Sequence, residues 1–596
     1  MPVYIYNNGG DSGGASGDQY TATLIVAAYN TLDPNAAHYQ CDGVADDVEI
    51  NAALNALPAS NGRVILLEGD YTLANSITIP DNDITLQGQG ESTFIDGNNL
   101  DNLINAIVVT GRTNIHLLDF SIRTASGGRN LCDCIYVSDG SNDLVIERVH
   151  ILSSSDNGIL FTGTSITGAR VIDCNIEATD NWGILVDMNT PAALARLHVE
   201  GCIFDDIAES AIQCNASGNC AGWHILGNLV DVTGGDGMDL DAVIDSVIEG
   251  NRIINADGSA LYLDEGTVDC IVADNILRAS VYDGISVLGP RNIIRGNQCE
   301  RNGRHGIFVA AIETTVDGNR CYNNSQTQAS SSDGIHVYTG EDNCIISNNY
   351  CATQSGEDQS QRSGIYLESG VDDCIISDNY CYQHAASGIT LVDSCDRNLI
   401  TGNYCHTNTA YGIDIASANA EANVVKDNRL WLNVGAQIRD NGTHTRTEEV
   451  WCPVVYGEQP TDADVVQIYG IRPVTVLTQS EDESAYATLQ VPREFQQMLT
   501  AHWVIIPGAT GNMAWTAATN YGRICANESY VQHSGSIDST ISGVIENTLT
   551  CFDIAAALAA LGPEDNVGLQ ITRTGTNEED TVAANCYAVG LRFRYV

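Results

Sequence analysis

The chain has 596 residues, with 26 Lys plus Arg against 76 Asp plus Glu and a formal net charge of −50 at pH 7. A surface so acidic repels nucleic acid backbones and anionic membranes and suits a salty medium, and no apolar run is long enough to cross a bilayer. Lys426 is the only lysine.

Residues 1–38 read as an arm, with Gly9-Gly10-Asp11-Ser12-Gly13-Gly14 as a flexible stretch. The opening Met1-Pro2-Val3-Tyr4 lacks the basic region and apolar core of a signal peptide, which predicts a protein that does not leave its cell by the Sec route. A short amphipathic helix is predicted within Asp42–Leu54, begun by acidic residues and stopped before Pro58. Short strands follow at Val64–Leu67, Ser76–Ile79 and Ile84–Leu86.

From there a repeat takes over. An asparagine returns at Asn228, Asn251, Asn275, Asn297, Asn319, Asn349, Asn379, Asn403 and Asn428, with gaps of 22 to 30 residues. An aliphatic residue stands three before most of them, as at Val272, Val316 and Ile376, and a small or apolar one stands two after, including Cys299, Cys321, Cys351, Cys381 and Cys405. A second series of small residue plus apolar residue interlocks with it, from Gly158-Ile159 to Gly412-Ile413. A repeat of this length is a solenoid, in which each unit buries its apolar face against its neighbours. After each small residue the pattern alternates with period two, as in Ile365-Tyr366-Leu367-Glu368, so the unit is built of strands. The reading is a right-handed, single-stranded parallel β-helix over residues 39–440. Its Asn series is read as a ladder at tight turns that accept the left-handed conformation. The interior cysteines are read as free thiols packing like Val or Ile.

Residues 441–451 read as a linker. Residues 452–596 lose the repeat and show separate alternating strands, such as Val504–Ile506, Val567–Ile571 and Tyr587–Tyr595, one helical patch at Phe552–Leu561 and core aromatics Trp503, Trp515 and Tyr521. An antiparallel β-sandwich of jelly-roll type is the expectation.

Stacking the coils turns distant residues into outward columns. One reads Gln213, Asp239, Tyr262, Ser286, Phe308, His336, Tyr366, Thr390, Asp414, Gln437, and a second reads Asp187, Asn215, Asp241, Asp264, Leu288, Ala310, Tyr338, Glu368. Tyr262, Phe308, His336 and Tyr366 form an aromatic stripe suited to the apolar faces of sugars, or to a lateral contact between subunits. Asp239, Asp241 and Asp264 cluster as candidate catalytic carboxylates, because glycoside hydrolysis needs one protonated and one ionised carboxyl group and crowding separates their pKa values. The same triplet also reads as a solvated face or a calcium site. Arg291, Arg295, Arg301, Arg304 and His305 are the dense basic patch of the chain, with Arg291 and Arg304 the candidates for acidic sugars, or else a local balance for Asp283 and Glu300.

The succession Asp42-Gly43, Asp46-Asp47, Ile50, Ala53-Leu54, then Gly62-Arg63-Val64-Ile65-Leu66-Leu67-Glu68-Gly69-Asp70-Tyr71, then Leu86-Gln87-Gly88-Gln89-Gly90 resembles the N-terminal cap and first coils of the pectate-lyase-like β-helix superfamily. That opening is familiar from bacteriophage tailspikes and related virion appendages. With the later repeats the resemblance covers roughly residues 40–440. It implies a virion-associated protein made in the host cytoplasm, a homotrimer whose shaft binds host surface polysaccharide, and a C-terminal head for trimerisation or receptor contact. Residues 1–38 would then meet other tail or baseplate proteins. It leaves open a depolymerase, acting by hydrolysis at the acidic cluster or by elimination near an arginine beside calcium as pectate lyases do, and also a purely structural appendage. No cofactor is required for the binding reading.

Overall fold

A computed structural model describes residues 22–595 apart from 59–60, 125–130, 189–191, 328–329, 354–360, 444, 446–447, 455, 458–466, 470–471, 479–481, 494, 496 and 524–532. The Gly9–Gly14 stretch expected to be flexible lies outside these residues. The chain folds as two compact units, residues 1–280 and 281–596. Both carry coils of a right-handed parallel β-helix, and the second also contains the C-terminal domain.

In the first unit the capping helix is Asp47–Asn55, with Asp47 and Glu49 in its first turn. Ile50, Ala53 and Leu54 are its buried apolar face. The arm expected over 1–38 contributes a strand, Ala22–Ala27, that pairs in parallel with Gly62–Leu66, so the first coil begins earlier than the sequence suggests. Parallel strands then stack from Ile77–Thr78 through Ile107–Thr110, Ile135–Ser138, Ile159–Gly163, Ile184–Met188, Ile212–Ala221 and Met238–Ile244 to Leu261–Leu263. In the second unit the equivalent sheet runs Ile285–Val287, Ile307–Val309, Ile335–Val337, Ile365–Leu367, Ile389–Leu391, Tyr411–Ile415, Ala436–Asp440.

The asparagine ladder is real, and its chemistry is specific. Asn319 donates its backbone N–H and its Nδ2 to Oδ1 of Asn349, at 2.9 and 3.0 Å, and its Nδ2 also reaches the carbonyl of Ile294 at 2.8 Å. Asn349 treats Asn379 and Val316 the same way, as Asn379 does Asn403 and Ile346. In the first unit Asn228, Asn251 and Asn275 repeat the pattern. The aliphatic residue three positions before each asparagine thus has a second duty, because its carbonyl accepts from the ladder. The left-handed residue is not the ladder asparagine but the one before it: Gly227, Gly250, Asp274, Gly296, Gly318, Asn348, Asp378, Gly402 and Asp427 all have φ between 53° and 69°. Gly, Asn and Asp tolerate that conformation best.

The small residue of the second series is fixed by space. A Cβ on Gly334 would lie 2.7 Å from the Gly364 carbonyl and 3.0 Å from Cys351. The cysteines beside it stack in register, Cys299, Cys321, Cys351, Cys381 and Cys405, all buried and free.

Beyond the last coil, two antiparallel sheets enclose a core around Trp503, Trp515, Tyr521, Leu569 and Phe593. One sheet contains Arg472–Leu477, Cys586–Tyr595, Met498–Pro507 and Thr550–Asp553; the other contains Asp482–Gln490, Asp565–Thr574, Gly511–Arg523 and His533–Val544. The helical patch expected at Phe552–Leu561 is only a 3-10 turn, Ala555–Leu558, since Phe552 belongs to a strand end. Arg573 is fully buried, and its five N–H donors reach Asp580 twice and the carbonyls of Leu477, Ala584 and Val582. Gln497 from this domain accepts the N–H groups of Gln437 and Ile438, covering part of the final parallel strand edge.

Asn349→Ala removes one acceptor from two buried donors and one donor from Val316. Its expected cost is about 3 kcal/mol, read by denaturant unfolding. Asp580→Ala strands the Arg573 guanidinium and is expected to cost about 3–5 kcal/mol.

Candidate functional site

The outward columns form where the sheets place them. Leu160, Leu185, Gln213, Asp239 and Tyr262 are register partners in the first unit, and Ser286, Phe308, His336, Tyr366, Thr390 and Asp414 are partners in the second. The last member is Arg439 rather than Gln437, because Ile413 pairs with Ile438 and shifts the expected register by two. The columns are not an open wall. Gln213 is 7%, His336 4% and Asp414 6% exposed.

In the first unit Asp239 and Asp241 rise from one face of the strand Met238–Ile244. Gln213 Nε2 donates to Asp239 Oδ2 and to Asn215 Oδ1, both at 2.7 Å. Burial pushes the Asp239 carboxyl up to about 6 against the pull of Gln213, with Asp236, Asp264 and Asp241 adding repulsion. Burial and then Asp264 raise Asp241. Asp264 lies one residue past its strand and its Oδ1 caps the N–H of Glu265 at 2.7 Å, so it serves the turn as well as the field. Burial, Asp264 and Asp239 also raise the Tyr262 hydroxyl. The arrangement crowds carboxyl groups on one wall with that of Asp239 raised, a layout suited to acid–base work.

In the second unit the aromatic stripe stacks on itself. Phe308 and His336 lie 5.5 Å apart at 25°, and His336 and Tyr366 5.2 Å apart at 16°, while the Arg362 guanidinium sits 3.8 Å from the Tyr366 ring. Ring faces therefore meet one another, and ring edges turn outward. The sequence reading missed what lies beneath. Asp333, fully buried, accepts from Arg362 Nε and Nη2 at 3.0 and 2.6 Å, from the Ser363 N–H at 2.9 Å and pairs with His336 Nδ1 at 2.9 Å. Burial opposes its charge, but the bonds to His336 and Arg362 hold the carboxyl down at about 2. His305 accepts the Asp333 N–H on Nδ1, and burial with the neighbouring His336 drives it down to about 3. Asp333 and Ser363 escaped notice, and His305 and Asp283 were read only as part of a basic patch and its balance, because all four occupy the corner before the small residue, a position whose identity changes from coil to coil. The basic patch is dispersed: Arg301 contacts Glu300 at 3.4 Å, Arg304 lies 4.2 Å over Tyr282, and Arg291 stands in a turn with φ 60°.

A further aromatic column appears on another sheet of this unit. Tyr350, Tyr380 and Tyr404 are register partners between Arg320 and Arg429, each arginine lying over the terminal ring at 5.5 and 5.1 Å.

Two family models match the chain. One, described as right handed beta helix region, matches residues 283–449; the other, described as periplasmic copper-binding protein (NosD), matches residues 200–356. No curated protein matches. Among solved structures, the chain is similar to a tailspike variant of E. coli bacteriophage HK620 in complex with a pentasaccharide, at 11% identity, covering 92% of this chain and 93% of that one with a TM-score of 0.46. It is similar to the A-module of the mannuronan C-5 epimerase AlgE6 of Azotobacter vinelandii, at 14% identity, 68% and 96% coverage and a TM-score of 0.40. The Dettilon tailspike protein gives 12%, 92% and 94%, and 0.39.

Copper does not fit the cluster that proximity would nominate. His305, Asp333 and His336 offer donor atoms within 4.8 Å of one another, yet the lone pairs of Asp333 are taken by four donors, two of them from the cationic Arg362 at 3.0 and 2.6 Å, and His305 Nδ1 already accepts a backbone N–H. A second cation there would meet repulsion in place of ligands.

Asp239 and Asp333 should respond to pH in opposite directions. Asp239 binds its proton more tightly folded than unfolded, so it lowers stability as pH rises from 3.8 toward about 6. Asp239→Asn is expected to raise the melting temperature at pH 7–8 and leave it unchanged near pH 4. Asp333 stabilises above its ordinary 3.8, a contribution lost as pH falls to about 2.

Proposed function

We propose that the outward columns of the β-helix bind an extended host surface polysaccharide, and that the chain is a virion-associated appendage of tailspike or tail-fibre type. The observation that carries this reading is the wall at Gln213, Asp239, Asp241 and Tyr262. There an amide, a carboxyl group held near pH 6 and a phenol project from adjoining coils about 4.8 Å apart. Such a row supplies hydrogen-bond donors and acceptors along a polymer, and parallel strands hold them rigidly. Homotrimerisation and contact with tail or baseplate proteins through residues 1–38 belong to the same proposal. In support of lateral association, Ile345 at 40% and Ile375 at 38% exposure are exposed apolar neighbours in register on adjoining coils, on a chain whose net charge of −50 otherwise opposes contact between copies.

The raised carboxyl favours a second reading, a polysaccharide hydrolase on the same wall. Side chains at i and i+2 start about 6.6–7 Å apart, within the roughly 6.5–9.5 Å of an inverting pair. Asp239 would be the general acid and Asp241, aided by Asp264, the base; neither needs a cofactor.

Incubation of the purified chain with capsule or lipopolysaccharide of a host panel, with a reducing-end assay and a pull-down, tests both. Binding without new reducing ends supports the appendage. New ends lost by about 100-fold or more in Asp239→Asn and Asp241→Asn support the hydrolase. Absence of binding across the panel, with no change on substituting Tyr262 or Gln213, refutes the glycan wall. Sedimentation at micromolar concentration is expected to give three copies.

A further inference from the structure

The cap of the first unit carries a cluster that neither the acidic wall nor the asparagine ladder uses. Tyr39–Gln40 pairs in parallel with the strand Ala22–Ala27, and the Cys41 N–H bonds the Ala27 carbonyl at 2.9 Å, so Cys41 is set on the first coil. It is 3% exposed. The chain then turns into the helix Asp47–Asn55, whose N-cap is Asp46. Asp46 and Glu49 are three residues apart and share one face of its first turn. One donor atom from each of Cys41, Asp46 and Glu49, a thiol and two carboxylates, lies within 4.8 Å of the other two.

Their acidic neighbour shows what a purely structural carboxylate looks like at this turn: Asp47 Oδ1 takes the N–H groups of Ala74 and Asn75. Asp46 is half committed in that way. Its Oδ1 accepts the Gly43 N–H and its Oδ2 the Thr72 N–H, both at 2.8 Å, which leaves a lone pair on each oxygen. Glu49 is not committed at all. An acidic residue three past the N-cap ordinarily bonds back to the N-cap N–H, yet the Asp46 N–H donates to the Thr72 carbonyl at 2.8 Å. Glu49 forms no ion pair among the described residues, and its Oε2 is buried without a hydrogen-bond partner. The Cys41 thiol has only a 4.0 Å contact with the Asp46 carbonyl. Burial and then Asp46, Glu49 and Asp42 push that thiol upward, and burial first raises the Asp46 carboxyl. A buried carboxylate oxygen is tolerated where a proton donor or a cation meets it, and no donor bonds this one.

We propose that Cys41, Asp46 and Glu49 bind a divalent cation of the zinc class, which pins the capping helix to the first coil. A thiolate with two carboxylates selects such an ion over calcium and magnesium, which take oxygen ligands. Metal–ligand bonds of about 2.0–2.3 Å place tetrahedral donors roughly 3.5 Å apart, so the cluster closes by about an ångström. Glu49, the longest and the only partly exposed member of the three, supplies that movement and gives the ion a way in. The helix end carries about +0.5 charge and opposes a cation, but three anionic ligands around two positive charges outweigh it. On binding, the S–H bond breaks as the sulfur–metal bond forms and the proton leaves to solvent, so nothing is oxidised or reduced. The role is structural, because these ligands belong to the segment that covers an open end of the β-helix.

The test strips the full chain with a chelator, keeps it reduced and titrates it with Co²⁺ as a spectroscopic stand-in for Zn²⁺. A thiolate-to-cobalt charge-transfer band in the near ultraviolet is expected to saturate at one equivalent and to vanish when Zn²⁺ is added. Cys551, a free cysteine exposed in the sandwich, provides the control: the band is expected to survive in Cys551→Ser and to be lost in Cys41→Ser. Glu49→Gln is expected to weaken Co²⁺ binding about 100-fold. Zn²⁺ is expected to slow amide hydrogen exchange over residues 41–55 about ten-fold or more in the parent and to leave Glu49→Gln unchanged. No band in the parent overturns the proposal, as does a band of parental strength in Cys41→Ser, which marks an adventitious ion only, held by another thiol. If Cys41→Ser does not fold, the exchange comparison decides, and zinc protection that persists in Glu49→Gln overturns the proposal. Ca²⁺ protecting the cap as well as Zn²⁺ does also overturns it.

Discussion

From Asn228 to Asn428 the helical part of this protein depends on one carboxamide oxygen per coil. Oδ1 of each ladder asparagine accepts two protons from the coil before it, and its Nδ2 returns one to a carbonyl of that coil. Three buried polar groups are satisfied per turn at a corner where the sheet itself provides no partner. Because the bond pattern is the same each time, it fixes register, and register decides which side chains share a wall. A slip of one residue would send the thiol column outward and the acidic wall inward.

That dependence explains what could be read in the chain. Positions that repeat were legible: Asn319, Asn349 and Asn379 stack as their spacing implies, Cys321, Cys351 and Cys381 stack inside, and Asp239 sits beside Gln213 and Tyr262. The corner conformation was assigned one residue late, because the requirement for a left-handed backbone and the requirement for an amide fall on neighbouring residues that both favour Asn. The final column member was misread as Gln437, since the last strand closes a register that no following coil repeats. The chemistry at Asp333, His305 and Arg362 was illegible for the opposite reason. Those side chains occur once, at a corner whose residue is free to vary, so periodicity carries no signal for them.

The two acid–base clusters also differ in how the fold treats their charge. Asp333 is ionised because a guanidinium, an imidazole and an amide face it, and its burial is tolerated through those partners. Asp239 has a single amide donor and three carboxylates nearby, so the fold resists its ionisation. A structure that retains a group whose charge opposes folding is carrying a local conflict. The sandwich contains no such conflict at Arg573, where all five donors are matched.

The ladder also has a direction. From Asn319 to Asn403 every ladder asparagine hands its backbone N–H and one Nδ2 proton forward and turns Nδ2 back to a carbonyl of the coil before, so each of these coils offers its neighbours the same donors and acceptors as the next one does. Removing or inserting one complete turn brings together surfaces that already match, whereas a fraction of a turn leaves orphaned amides. Unequal recombination within the gene can therefore lengthen or shorten this shaft in whole steps without rebuilding its interior, and the 22-residue and 30-residue turns that coexist here show that corner loops can grow between steps without disturbing the count.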